Sequence, residues 1–191
     1  MTSTMDTARD DTAAAAAEVA ALLRAGDPRA SAEFRRVFGD ALTRFCWGYL
    51  GSVEEAEDAV QDIHYRLLDM DEIPDHFRPW LYRTARNHCL NRLRDHKRHH
   101  DAHPLPPDSQ LRAELTGQLT RMVKQELGAH VTAALRALDP QLREVLLLRY
   151  TEGLGRAEIA EVLDIPPWQV KHRLFTGLRE LREQVDAMAR R

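Results

Sequence analysis

The chain has 191 residues, 27 Lys and Arg against 30 Asp and Glu, and a formal net charge of −3. That length fits one or two domains, and an apolar content of 43% is enough to bury a core, which excludes a disordered acidic tail. Two cysteines, Cys46 and Cys89, without a C-x-x-C spacing exclude a disulfide scaffold. They read instead as small buried apolar groups in a reducing compartment. No apolar run approaches the roughly 18 residues of a membrane span. The N-terminus carries Asp6, Asp10 and Asp11 where a signal peptide would be basic. A cytoplasmic location is expected. A total of −3 also argues, taken alone, against a freestanding nucleic-acid binder.

Residues 1–29 form an N-terminal extension. Its first twelve residues are polar and are expected to lack structure. Residues 13–25, AAAAAEVAALLRA, favour helix but have little to bury, so a frayed or accessory helix is expected. A first domain is predicted over 30–95. Phe34, Val37, Phe38, Ala41, Leu42, Phe45 and Tyr49 recur at helical spacing between Ala30 and Leu50. Gly51-Ser52 breaks that helix, and Ser52 with Glu55 three residues later marks the start of the next. This second helix carries Ala56, Val60, Ile63, Leu67 and Leu68 on one side and ends near Asp69–Pro74. Pro79 suits the first turn of a further helix running to about Arg94.

Residues 96–110 read as a linker, rich in proline and histidine and without apolar period. A second domain is predicted over 111–191. Residues 109–137 read as one or two helices, with Gly128 a point of interruption. Asp139-Pro140 is a cap followed by a first-turn proline. Leu142, Val145, Leu146 and Tyr150 form the stripe of that helix, and shorter helices follow over about 156–163 and 167–185. No segment alternates with period two, so the predicted fold is all-α, in two small helical domains joined by a flexible linker.

Charge is unevenly placed. Residues 52–75 hold nine acids and one base, and residues 76–100 hold seven bases and one acid. Such neighbouring blocks suit two surfaces with different partners, or simply two solvated helix faces of opposite sign. In Gly155–Leu181, Ile159, Ala160 and Leu163 form one apolar edge, Asp164 sits in a turn, and Val170 and Leu174 form a second edge. This is helix-turn-helix spacing. The free face of the second helix offers Gln169, Lys171, His172, Arg173 and Thr176 to base edges and phosphates. Pro166 and Pro167 fix its start. An ordinary helical hairpin with a basic face is the plainer alternative.

The block LDPQLREVLLLRYTEGLGRAEIAEVLDIPPWQVKHRLFTGLRELR resembles region 4 of bacterial extracytoplasmic-function (group IV) sigma factors of the sigma-70 family. EEAEDAVQDIHYRLL followed by FRPWLYRTARNHCLNRLRD resembles their region 2. Together the blocks cover about half the chain, in the family's order. The resemblance implies an alternative sigma factor that binds RNA polymerase core enzyme and directs promoter-specific initiation. It implies contact with the clamp helices of the largest polymerase subunit through Glu57, Asp58, Val60, Gln61 and Asp62, and contact with the flap of the second-largest subunit. It implies capture of the minus-ten element by Trp80, Arg83, Arg86, Asn87, Asn91, Arg94 and Lys97, with Asn87 beside a flipped base. Cations, stacking surfaces and amides are what single-strand capture requires. For Trp80 and Tyr82, core packing is the stronger expectation. The resemblance further implies that Gln169, Lys171, His172, Arg173, Thr176 and Arg179 contact the minus-thirty-five element, and that an anti-sigma factor holds the protein inactive.

The family usually has glycine where Asp164 stands, a Ser or Thr cap where Gly155 stands, and an aromatic where His64 stands. Trp168 and Phe175 are bulky for a recognition helix: exposed, they could meet thymine methyls; buried, they are packing. His96, His99, His100 and His103 could bind a metal at helical spacing, but Pro104, Pro106 and Pro107 favour a plain basic linker. No cofactor or metal is expected, and no catalytic motif occurs, so an enzyme is not expected. The competing readings are an autonomous helix-turn-helix regulator of duplex DNA and, far behind, a histidine-dependent metallonuclease.

Overall fold

Helices are the only regular structure among the described residues of the computed structural model: α1 (Ser3–Arg24), α2 (Ala30–Leu50), α3 (Val53–Leu68), α4 (Phe77–His100), α5 (Pro140–Tyr150), α6 (Arg156–Leu163) and α7 (Pro167–Ala189). The structure describes residues 3–100 and, apart from Thr132 and Arg136, residues 131–189, with side chains described for 12–96 and 131–188 under the same exceptions. The chain divides into two compact units, Met1–Pro107 and Asp108–Arg191. Most of the segment 109–137, expected to hold one or two helices, lies outside the described residues; residues 131, 133–135 and 137 are helical.

The first unit is organised by α2. Phe34, Phe38, Leu42, Phe45 with Cys46 beside it, and Leu50 fall on one helix face and are buried together. Phe38 meets Phe77 edge-on at 5.8 Å, and Phe45 meets Tyr82 edge-on at 5.3 Å, so aromatic contacts join α2 to α4 at two levels. Helix α3 supplies Ala56, Ala59, Ile63 and Leu67 to the same core. Each fully buried aromatic or aliphatic side chain contributes about 2 kcal/mol of transfer free energy. Gly51 ends α2 in the left-handed conformation (φ 73°) and donates to the Trp47 carbonyl. Ser52 then caps α3, its Oγ accepting the Glu55 N–H at 3.3 Å.

The N-terminal extension differs from expectation. Residues 3–12 are helical where no structure was expected, and α1 packs against α2 and α4 through buried Ala16, Val19 and Ala20. Small residues suffice because they let the helix backbones approach closely. At the end of α1, Arg24 Nη2 donates to the Pro74 carbonyl at 2.8 Å and Nε to the Ile73 carbonyl at 3.4 Å. The extension thereby holds the loop that leads into α4. The latter helix also runs on to His100, so His96, His99 and His100 lie on helical backbone and not in a linker. His103 falls outside the described residues. Leu68, expected on the buried side of α3, is 50% exposed.

The second unit is a helix-turn-helix seated on α5. Asp139 caps α5 by accepting the Gln141 N–H at 2.8 Å, and Pro140 is its first residue. The Gly155 N–H donates to the Glu158 carboxylate at 2.6 Å at the start of α6. Asp164 stands in the turn in the left-handed conformation (φ 55°, ψ 48°), and its N–H and that of Ile165 both reach the Ala160 carbonyl. Ile159, Ala160, Val162, Leu163, Val170 and Leu174 are buried between the helices and α5. At Gly177 α7 lies close against α5: a Cβ there would sit 3.2 Å from Leu146 Cδ1.

A left-handed backbone costs most L-residues about 1–2 kcal/mol, and aspartate less. Asp164→Gly is therefore expected to stabilise the chain by about 0.5 kcal/mol, and Asp164→Val to destabilise it by at least 1 kcal/mol. Urea denaturation of the two variants checks the order; equal midpoints would contradict the turn geometry.

Candidate nucleic-acid and protein interfaces

Two helices of the first unit each bury one face and present the opposite one. On α3 the outward face is a row at spacing i, i+4, i+7, i+11, i+14: Glu54, Asp58, Gln61, Tyr65 and Leu68, all exposed, with Glu57 beside it. Gln61 Nε2 donates to the Tyr65 hydroxyl at 3.1 Å. Tyr65 is 61% exposed. The row mixes carboxylates with apolar surface, a composition suited to a protein partner and repelled by DNA. Tyr65 and Leu68 were missed by sequence reading, which placed Leu68 inside and passed over Tyr65. Of the expected polymerase-contacting residues, Glu57, Asp58 and Gln61 lie on or beside this row, and Val60 is half-buried towards the core.

Asp62 points elsewhere. Its Oδ2 lies 3.3 Å from Arg92 Nη2 and 3.6 Å from His88 Nε2, both on α4. It therefore ties α3 to α4, and its charge is shared inside the unit. At about half exposure the pair is worth no more than roughly 0.5 kcal/mol.

On α4 the outward face holds Trp80, Arg83, Asn87, Asn91 and Arg94 at spacing i, i+3, i+7, i+11, i+14. Arg83, Asn87, Asn91 and Arg94 are exposed, Trp80 and Arg86 are half-buried, and Arg86 lies at the flank of the row. Arg94 Nη1 donates to Asn91 Oδ1 at 3.2 Å. Trp80, half-buried, lies near-parallel to buried Phe77 at 6.3 Å. Tyr82 is in the core. Lys97 continues α4, but its side chain is outside those described. A planar ring, two amides on one face and a line of guanidinium groups can hold an unpaired strand by stacking, base-edge hydrogen bonds and phosphate contact.

On α7 the ridge pointing furthest from the core is Trp168, His172, Phe175 and Arg179, at spacing i, i+4, i+7, i+11. Lys171 is exposed on one flank. Gln169, Arg173 and Thr176 are half-buried on the other. The bulky residues left undecided by the sequence are thus the exposed ones, Trp168 at 67% and Phe175 at 69%. Among the described residues no group of three His, Cys, Asp or Glu side chains is placed to hold a metal ion, and no helix is long and apolar enough to cross a membrane.

The sigma-70 region 2 family model matches residues 35–99, and the sigma-70 region 4 model matches residues 130–181. The chain is 31% identical over 182 residues to the ECF RNA polymerase sigma factor SigW of Bacillus subtilis, covering 85% of this chain and 92% of that one. The chain belongs to the ECF sigma factors of the sigma-70 family. Two solved structures share the fold of this sigma factor. The structure of CnrH in complex with the cytosolic domain of CnrY superposes with a TM-score of 0.61 at 24% identity, covering 91% of this chain and 98% of that one. The sigma factor RpoE in complex with the anti-sigma factor NepR, from Bartonella quintana, gives 0.56 at 20% identity, covering 77% and 91%. The α3 and α4 rows lie in the region 2 match, and the α7 ridge lies in the region 4 match.

His64 is buried and stacked on Phe34 (4.8 Å, 9°), with Nε2 3.2 Å from Ser31 Oγ. Burial pushes its pKa below the ordinary histidine value, and the nearby Arg35 charge adds to this. His88 is shifted the same way by burial and by Arg92, against the opposing pull of Asp62. Both histidines thus take up a proton more readily in the unfolded chain. Stability is highest above the unfolded histidine pKa of about 6.5 and falls as the pH drops through it towards the lower folded values. His64→Phe keeps the stack and removes one of these groups. The slope of stability between pH 7 and pH 5 is expected to shrink in that variant, measured by urea denaturation at each pH. An unchanged slope would show that His64 does not titrate on unfolding.

Proposed function

We propose that this ECF sigma factor divides promoter-specific initiation among the three exposed rows. The α3 row, through Glu57, Asp58, Gln61, Tyr65 and Leu68, docks on the clamp helices of core RNA polymerase. The α4 row, through Trp80, Arg83, Asn87, Asn91 and Arg94 with Arg86 and Lys97 alongside, captures the minus-ten element as a single strand. Helix α7, through Gln169, Lys171, His172, Arg173, Thr176 and Arg179, binds the minus-thirty-five element in the major groove. The observation that carries the reading is the contrast between the outward rows of α3 and α4. One is acidic and apolar, the other is cationic with amides, and each lies opposite a buried face.

Asp62 is a positioning residue in this scheme, holding α4 against α3 and making no polymerase contact of its own. Phosphate contacts by Arg83, Arg94, Lys171 and Arg179 set position, and the amide of Asn87 reads an unstacked base. An anti-sigma factor is a further proposed partner, supported by the neighbour RpoE having been solved bound to one.

Transcription in vitro with purified core polymerase tests the proposal. A specific transcript that depends on the full chain is expected, and failure to co-elute with core or to give any promoter-specific product would sink it. Asp58→Arg combined with Gln61→Ala should weaken association with core at least tenfold while leaving the circular dichroism unchanged, because both residues are exposed. Asn87→Ala should lower open-complex formation while core binding persists. Loss of core binding by Asn87→Ala would contradict the division between α3 and α4. An autonomous regulator would instead bind duplex DNA tightly without polymerase.

A further inference from the structure

The outermost ridge of α7 is not purely polar. Trp168 and Phe175 are the two most exposed large apolar side chains among those described, at 67% and 69%. They stand two helical turns apart on one line with His172 between them and Arg179 beyond. Lys171 and Arg182 flank the line; residues 167–179 contain no carboxylate, and Glu183, one turn further on, lies 3.9 Å from Arg179. Beneath, Val170 and Leu174 are buried against the rest of the unit, and Gly177 lies close to Leu146, so the helix cannot roll to hide the rings. The surface is therefore an apolar line set in a cationic field.

We propose that Trp168 and Phe175 are specificity-determining residues that read thymine through its C5-methyl group in the major groove. The inference rests on the reading of α7 as the minus-thirty-five helix and adds to it what that helix selects. Duplex DNA is the occupant that satisfies both features at once. Its phosphates match Lys171, Arg179 and Arg182. Its major groove offers an apolar group only at thymine, where apolar side chains discriminate T from C by the methyl. An uncharged or basic apolar protein surface would leave the cations unmatched. The spacing sharpens the prediction: seven residues of helix span roughly 10 Å, or about three base pairs at 3.4 Å each. Two thymine-preferring positions about three base pairs apart are expected upstream, on either strand.

The test uses the full chain reconstituted with core RNA polymerase and a promoter library randomised over the upstream element. The wild-type holoenzyme is expected to enrich thymine at two such positions. Trp168→Ala should lose the preference at one and Phe175→Ala at the other, while Phe175→Leu, which keeps an apolar side chain, should retain it. Deoxyuridine in place of thymine then removes the methyl alone. Each replacement should weaken wild-type binding about fourfold, the worth of one buried methyl, and should leave the matching alanine variant unaffected. If upstream selection persists but ignores thymine, or is unchanged in both alanine variants, the proposal is overturned and the region 4 reading stands. That outcome would also follow if a protein partner, and not DNA, used the ridge. If the wild-type holoenzyme shows no upstream preference at all, the region 4 reading fails and this proposal with it.

Discussion

Everything the first unit presents to solvent depends on how α2 is packed. Its apolar residues recur at helical spacing, and Phe34, Phe38, Leu42 and Phe45 must all leave water together. Phe38 and Phe45 engage Phe77 and Tyr82, which fixes α4 in rotation and in register. Ile63, Leu67 and the His64 ring, stacked on Phe34, fix α3 in the same way. A helix has one rotational freedom about its axis, and burial of one face removes it. Asp58, Gln61 and Tyr65 on α3, and Arg83, Asn87 and Asn91 on α4, then face outward as a consequence of packing behind them. Protein interiors are dense enough that small rotations are not cheaply absorbed, so the aromatic ladder of α2 sets which side chains of α3 and α4 face outward.

The same logic accounts for the chain's charge. A total of −3 conceals an acidic block and a basic block that fall on consecutive helices. Packing aims most of these charges away from the core, where their hydration is kept and their fields act on partners. Asp62 is the exception that shows the rule at work: it lies off the outward row of α3, within reach of Arg92 and His88, and so is partly neutralised inside the unit. Block charge alone therefore overstates the acid available to a partner, and the register of the helix decides which carboxylates are available.

What could be read from the sequence was what local chemistry dictates. Gly51-Ser52, Asp139-Pro140 and Pro166-Pro167 all sit where the helices break, because caps and prolines act within a few residues of themselves. The apolar edge of α6 and the Val170–Leu174 edge of α7 were legible for the same reason. What escaped depends on neighbours distant in the chain. The docking of α1 rests on Ala16 and Ala20, which carry no hydrophobic signal, and on Arg24 reaching carbonyls 49 and 50 residues away. Leu68 was misplaced because it stands one residue past Leu67, and 100° of rotation carries it out of the core. His96–His100 looked like linker by composition, yet they continue a helix already nucleated by α4. Trp168 and Phe175 could not be placed from type alone, since rings of that size more often pack inside. Only the direction of Val170 and Leu174 decides that they point out.

The composition of the proposed DNA-facing rows limits what each can do alone. The α7 ridge sets two rings and a histidine among Lys171, Arg179 and Arg182, and Arg179 lies 3.9 Å from Glu183, which takes part of its charge. Few phosphates can be neutralised by so few cations, and non-specific affinity scales with that number. The α4 row itself carries two guanidinium groups, Arg83 and Arg94, with Arg86 and Lys97 alongside. On the proposed reading, each row binds weakly by itself and discriminates by base contacts. A polymerase that holds both units over one promoter makes the second contact intramolecular, and the two modest affinities multiply. Weak separate rows also leave the free protein little reason to occupy DNA in the absence of polymerase. A single strongly basic domain could not achieve that, because its affinity would come from phosphate contacts present at every site in a genome. On the proposed reading, the near-cancellation of charge across the chain is part of how selectivity is assigned to the assembled enzyme.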